Sequence, residues 1–183
     1  MLFRSGESTD VDFKGFLAAA KSLIKLGDPD PAFLWDRVGH WAQYEDDWPE
    51  AEKAYRKAYE LEPDQYGYCL GTALNSRKKY AEALPILLKE AEQLQSDAMS
   101  WFQVAISREG TGDIDGCISA YEKALKLDPD YALAWYNLGG IHWNRGDIQK
   151  AVSVWSVAAA RFPVGPEADQ LREILPDLFE GQE

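Results

Sequence analysis

Cysteine, histidine and basic residues are the scarce components of this sequence. Only Cys69 and Cys117 supply thiols among 183 residues, too few for a disulfide framework and without a C-x-x-C partner. They read as small packing side chains in a reducing compartment, which points to a cytoplasmic protein. Lys and Arg number 19 against 31 Asp and Glu, a formal charge of −12, and no basic stripe gathers anywhere. A phosphate backbone needs concentrated cations, so nucleic acid is not an expected partner. No apolar run is long enough to cross a bilayer: Leu17 to Leu26 is interrupted by Lys21 and Lys25. Met1-Leu2-Phe3 runs directly into Arg4 and a polar stretch, which predicts no signal-peptide core. Neither a phosphate-cradling glycine loop nor a nucleophile elbow occurs. Asp113-Ile114-Asp115-Gly116 lacks the ligand spacing and downstream glutamate of a calcium loop. The expectation is a protein that is not an enzyme, holds no metal or cofactor, and contacts neither nucleic acid nor membrane.

Apolar residues make up 46% of the chain and aromatics 13%, enough to build a packed core rather than a disordered tail. They are placed periodically. Trp101 recurs 34 positions on as Trp135, Val104-Ala105 as Leu138-Gly139, and Gly112-Asp113-Ile114 as Gly146-Asp147-Ile148. Tyr121 recurs as Trp155, Ala124 as Ala158 and Pro129 as Pro163. A fixed period of this size marks stacked supersecondary units, none of which buries its apolar face alone. The small residues Gly39, Gly71, Ala105 and Gly139 hold one recurring position, and Gly112 and Gly146 hold another that suits a turn of positive φ. Trp48-Pro49-Glu50 is suited to start a helix, and Pro63, Pro129 and Pro163 to stop one.

These landmarks resemble the tetratricopeptide repeat, whose pattern is W-x2-L-G-x2-Y, then A-x3-F, then P. The resemblance covers about residues 32–165 and implies an all-α, right-handed α-solenoid of about four helix-turn-helix repeats with a concave groove. The repeats fall at 32–63, 64–97, 98–131 and 132–165. The second is divergent: Gly67 replaces the early Trp, Lys78 the turn Gly, Glu90 a small residue and Gln95 the final Pro. Pro85 is expected to delay or kink its second helix. Residues 12–31 read as a capping helix or half-repeat, because Ile24 to Trp35 echoes Leu125 to Trp135. Residues 1–11 are expected to be disordered or extended. Residues 166–183 are expected to form a last helix with Ala168, Leu171, Leu175 and Leu178 on one side and an acidic tail.

In this family the first helix of each repeat lines the groove. Carried over position by position, the first repeat offers Phe33, Asp36, Arg37, His40, Gln43 and Tyr44; the second offers Gln65, Tyr68, Cys69, Thr72 and Asn75. The third offers Met99, Phe102, Gln103, Ile106 and Glu109; the fourth offers Leu133, Tyr136, Asn137, Trp143 and Asn144. The resemblance therefore implies a peptide-binding groove of Arg37, His40, Tyr44, Tyr68, Thr72, Phe102, Gln103, Tyr136, Asn137 and Trp143. Tyr68, Phe102 and Tyr136 would form an aromatic ladder, with Gln103 and Asn137 as an amide ladder able to pair with a peptide backbone.

Trp41 is expected to pack on the N-terminal helix, and His142 to occupy a core position. His40 and His142 lie about three repeats apart and cannot share a coordination shell, so His40 reads as a lone groove histidine. The family's heat-shock-chaperone clamp needs Lys, Asn and Arg, where this chain has Arg37, Cys69 and Gln103. The functional expectation is a non-catalytic adaptor that binds a protein or peptide in its groove. Self-association through the end helices, as an assembly scaffold, is one alternative; a chaperone for an export-system subunit is another.

Overall fold

The computed structural model describes residues 13–93 and 97–179. The expectations for residues 1–11 and for the end of the acidic tail lie outside the described residues. The fold is all-α as expected, with no strand among the described residues. Two compact units divide the chain between Arg77 and Lys78.

The first unit holds α1 (Phe13–Lys25), α2 (Pro31–Tyr44), α3 (Trp48–Leu61) and α4 (Pro63–Ser76). The expected N-terminal helix is present, and its Phe16 stacks on Trp41 with ring centroids 5.6 Å apart. Ala20, Trp35, Val38, Ala54, Ala58 and Tyr66 form the core of this unit, flanked by Phe16, Leu17 and Ile24. Asp30 and Asp47 accept hydrogen bonds from the amides of Phe33 and Glu50, and so cap α2 and α3. Glu52, buried on α3, is held by Arg56 at 2.8 Å and by Arg77 at 2.6 Å. A buried carboxylate between two guanidiniums is compensated in a way a lone one is not.

The second unit holds α5 (Tyr80–Gln93), α6 (Ala98–Thr111), α7 (Ile114–Leu127), α8 (Ala132–Arg145), α9 (Ile148–Arg161) and α10 (Pro166–Ile174). A 3-10 turn at Pro176–Phe179 follows. Asp97 and Asp113 cap α6 and α7 by accepting from the amides of Met99 and Gly116. Gly112 and Gly146 end α6 and α8 at φ 83° and 87°, the left-handed region that glycine enters without a Cβ clash. Hairpin closure brings the small positions against large partners. A Cβ on Gly39 would lie 2.4 Å from the Tyr55 ring, and one on Gly139 2.2 Å from the Trp155 indole.

Pro63 stands two residues past the end of α3, as Pro129 and Pro163 stand past α7 and α9, and it is also the first residue of α4, where its missing N–H breaks no helical bond. Three further details add to or depart from the sequence reading. Lys78 takes the left-handed turn conformation itself, at φ 58°, as Asp46 does at φ 59°. Pro85 does not delay α5, which begins at Tyr80; it lies inside the helix, beyond its first turn, the position where the expectation of a kink applies. Finally, the last helix is broken. Pro176 removes a donor and biases Leu175 away from helix, so α10 stops at Ile174 and a 3-10 turn carries Leu178 and Phe179 back onto the core.

Candidate functional site

In the second unit, α8 carries a run of surface depressions along one side. Asn137, Gly140, Ile141 and Asn144 recur at helical spacing, i, i+3, i+4 and i+7, so they share one face. With Ile106, Glu109, Tyr121 and Tyr136 they line a depression of about 260 Å³. Glu109, Ile141 and Asn144 also line an adjoining hollow of about 470 Å³ that reaches Asp113 and Asp115 at the α6–α7 turn. On the other side, Tyr136 and Asn137 are shared with a smaller hollow of about 150 Å³ bounded by Glu167, Gln170 and Ile174 of α10.

Local folding fixes the floor of this groove. Tyr136 is only 8% exposed; its hydroxyl donates to the carbonyl of Phe162 at 2.8 Å. Trp155 in turn donates its indole N–H to the Tyr136 carbonyl at 3.0 Å. Asn137 Nδ2 donates to the Tyr121 hydroxyl at 3.3 Å, which leaves the amide oxygen for other partners. The rim is acidic. Glu109, Asp113, Asp115 and Glu167 line these hollows, and the one cation among the lining residues, Arg145, is paired with Asp115 and lies 3.5 Å from Asp147.

The ten sequence-derived groove residues are distributed unevenly. Phe102 is 7% exposed and packs against Tyr121 and Tyr131, with centroids 5.6 and 4.8 Å away. It and Tyr136 are thus core side chains first, and only Tyr136 lines the hollows. Gln103 and Asn137 are half-buried, as are Tyr68 and Thr72 in the first unit. Trp143 keeps 37% of its surface exposed while its ring rests 5.6 Å from that of Trp155. Tyr44 is 84% exposed. Arg37 and His40 are exposed, with the Arg37 guanidinium 5.3 Å from the Phe33 ring centroid.

His40 is not the lone histidine its sequence context implies. Its Nδ1 lies 3.2 Å from Asp36 Oδ1 and 3.0 Å from the Asp36 carbonyl. The hydrogen bond with Asp36 raises the His40 pKa, against the effect of partial burial. Burial acts to raise the Asp36 pKa, but hydrogen bonds to His40 and Arg37, and their charges, outweigh it and hold the carboxyl below its ordinary value.

Sequence reasoning left Gly140, Ile141 and Gln170 out of the groove. The spacing of Gly140 and Ile141 from Asn137 would have placed them; nothing in the repeat pattern places Gln170, which belongs to α10.

The geometry defines the class of protein: each unit is built of α-helical hairpins, and in the second one face of α8 lines a run of surface hollows. Residues 39–99 match the family described as "Tetratricopeptide repeat", and residues 111–146 the one described as "TPR repeat". The chain belongs to the tetratricopeptide repeat family. A TPR repeat-containing protein of Methanocaldococcus jannaschii is 28% identical over 99 residues, which is 54% of this chain and 17% of that protein. Protein FlbA of Caulobacter vibrioides is 40% identical over 60 residues, 33% of this chain and 10% of its own length. The chain thus spans a small part of these relatives. Among solved structures, MamA matches with a TM-score of 0.75 at 20% identity, covering 94% of this chain and 99% of that one. YrrB matches with a TM-score of 0.70 at 21% identity, covering 88% and 92%. MamA from Desulfovibrio magneticus RS-1 gives 0.68 at 18% identity, over 88% and 97%. At these identities the likeness is one of fold. No helix among the described residues is long and apolar enough to cross a membrane.

Proposed function

We propose that the second unit binds an extended peptide segment of a partner protein along α8, as a non-catalytic interaction module. One observation carries this reading: three adjoining hollows share residues along a single face of α8, floored by the buried, hydrogen-bonded Tyr136 and lined by amides and carboxylates. Asn137, Asn144 and Gln170 both donate and accept, so they suit the alternating N–H and C=O groups of an extended backbone. Glu109, Asp113, Asp115 and Glu167 favour a ligand with Lys or Arg side chains, and this charge pattern sets selectivity and association rate. YrrB is described as a TPR protein with an unusual peptide-binding site, which accords with peptide binding on this fold without assigning residues here.

The test is selection of binders from a random peptide library, followed by calorimetry. Selected peptides are expected to be rich in Lys and Arg. Asn144→Ala and Glu109→Gln each lower affinity about 5- to 20-fold, the loss of one hydrogen bond or charge-assisted contact. Selected peptides that bind both variants as tightly as the parent chain would contradict the reading.

A further inference from the structure

In the first unit, three side chains of different chemistry converge. Asp36 and His40 stand one turn apart on α2, and Cys69 comes from α4. One donor atom from each, a carboxylate oxygen, a ring nitrogen and the thiol sulfur, lie within 4.8 Å of one another. We propose that Asp36, His40 and Cys69 form a binding site for a borderline divalent cation of the zinc class.

The donor set decides the kind of ion. A thiolate with an imidazole selects zinc, cobalt(II) or similar ions over magnesium and calcium, which take oxygen ligands. Metal–sulfur bonds of about 2.3 Å and metal–nitrogen bonds of about 2.0 Å put donors around a tetrahedral ion roughly 3.3–3.6 Å apart. The His40 Nδ1 to Asp36 Oδ1 separation is already 3.2 Å, so the remaining contraction falls on Cys69 and the His40 ring. Spacing i, i+4 on a helix places two ligands on the same side without backbone movement.

The surroundings fit the same purpose. Asp36 is buried, and Arg37 engages its other oxygen, Oδ2, through Nε at 3.0 Å, so Oδ1 is the one turned toward His40. Such outer partners orient a ligating carboxylate. The His40 ring stands edge-on to the buried Tyr55 ring, with centroids 5.5 Å apart and planes at 85°. Its side chain is nevertheless 47% exposed, which gives the ion a way in and leaves the fourth position to water. On binding, the Cys69 S–H bond releases its proton to solvent and the sulfur pair enters the coordination bond, while the His40 Nδ1 proton that faces Asp36 leaves to solvent, or the ring takes its other tautomer, so that the Nδ1 pair can coordinate.

The experiment is titration of the full chain with cobalt(II), then zinc(II), under a phosphine reductant, read by absorbance and by thermal midpoint. One equivalent of cobalt(II) is expected, with thiolate charge-transfer absorption that zinc displaces, and a higher midpoint in excess zinc. Cys69→Ser is expected to abolish that absorption and Cys117→Ser to keep it. His40→Gln, at an exposed position, is expected to weaken cobalt binding at least about tenfold and supplies the test if Cys69→Ser does not fold. The absence of a thiolate band, its survival in Cys69→Ser, or undiminished affinity in His40→Gln would overturn the proposal.

Discussion

The Tyr136 hydroxyl joins α8 to the residue that follows α9 through its 2.8 Å bond to the Phe162 carbonyl. Because the ring is buried, neither group has full access to water once the partner is removed. Tyr136→Phe keeps the packing and deletes that bond, so it should cost about 1 kcal/mol of unfolding free energy in urea. An unchanged midpoint would mean that the bond does not persist in solution. The same bond explains why the tyrosine's role is only partly legible in sequence. Its 34-residue step from Phe102 marks it as a first-helix position, but the step carries no information about how far the next helices close over it. Trp41 was legible because Phe16 precedes it on an amphipathic segment. Cys69 beside Asp36 and His40 was not, since that proximity depends on how α4 packs against α2.

At the level of elements, the hairpins close where a small residue faces a large one. Gly139 meets Trp155, whose indole cannot retreat, because it is 7% exposed and its N–H is committed to the Tyr136 carbonyl. Gly139→Ala gains about 1 kcal/mol in helix propensity, yet its Cβ would stand 2.2 Å from the Trp155 Nε1. Overpacking of this kind costs about 1–3 kcal/mol, so the substitution is expected to lower the thermal midpoint despite the better helix former. A raised midpoint would show that the α8–α9 contact is looser than its geometry. Such small–large pairs, the turn glycines and the aspartate caps are local chemistry, and they made the hairpins readable from sequence. The break before Pro176 was equally present in the sequence, but the apolar spacing of Leu171, Leu175 and Leu178 favoured one continuous helix. A proline's missing N–H overrides that periodicity. Lys78 shows the converse: where the repeat pattern has a turn glycine, a lysine itself occupies the left-handed region.

Across the whole molecule, buried acids set the response to alkali. Burial pushes the Cys117 thiol up to about 12 and raises the Tyr55 and Tyr121 hydroxyls above their ordinary value near 10. The folded state therefore holds protons that the unfolded state releases, and stability must fall as pH rises. The contribution is fully present below pH 9, the ordinary thiol value, and declines upward through about pH 12. Urea unfolding at successive pH values should show this decline, with phenolate absorbance appearing together with loss of helix. Constant stability to pH 11 would contradict the burial of these groups.

A partner peptide lying along α8 would be located by amide chemical-shift mapping, in which a selected basic peptide is titrated into isotopically labelled protein. Shifts are expected to concentrate at Glu109, Asn137, Gly140, Ile141, Asn144 and Gln170, with the side-chain amides of both asparagines among them. Shifts gathered instead around Trp101 and Lys123, or along α1, would place binding elsewhere and contradict binding along α8.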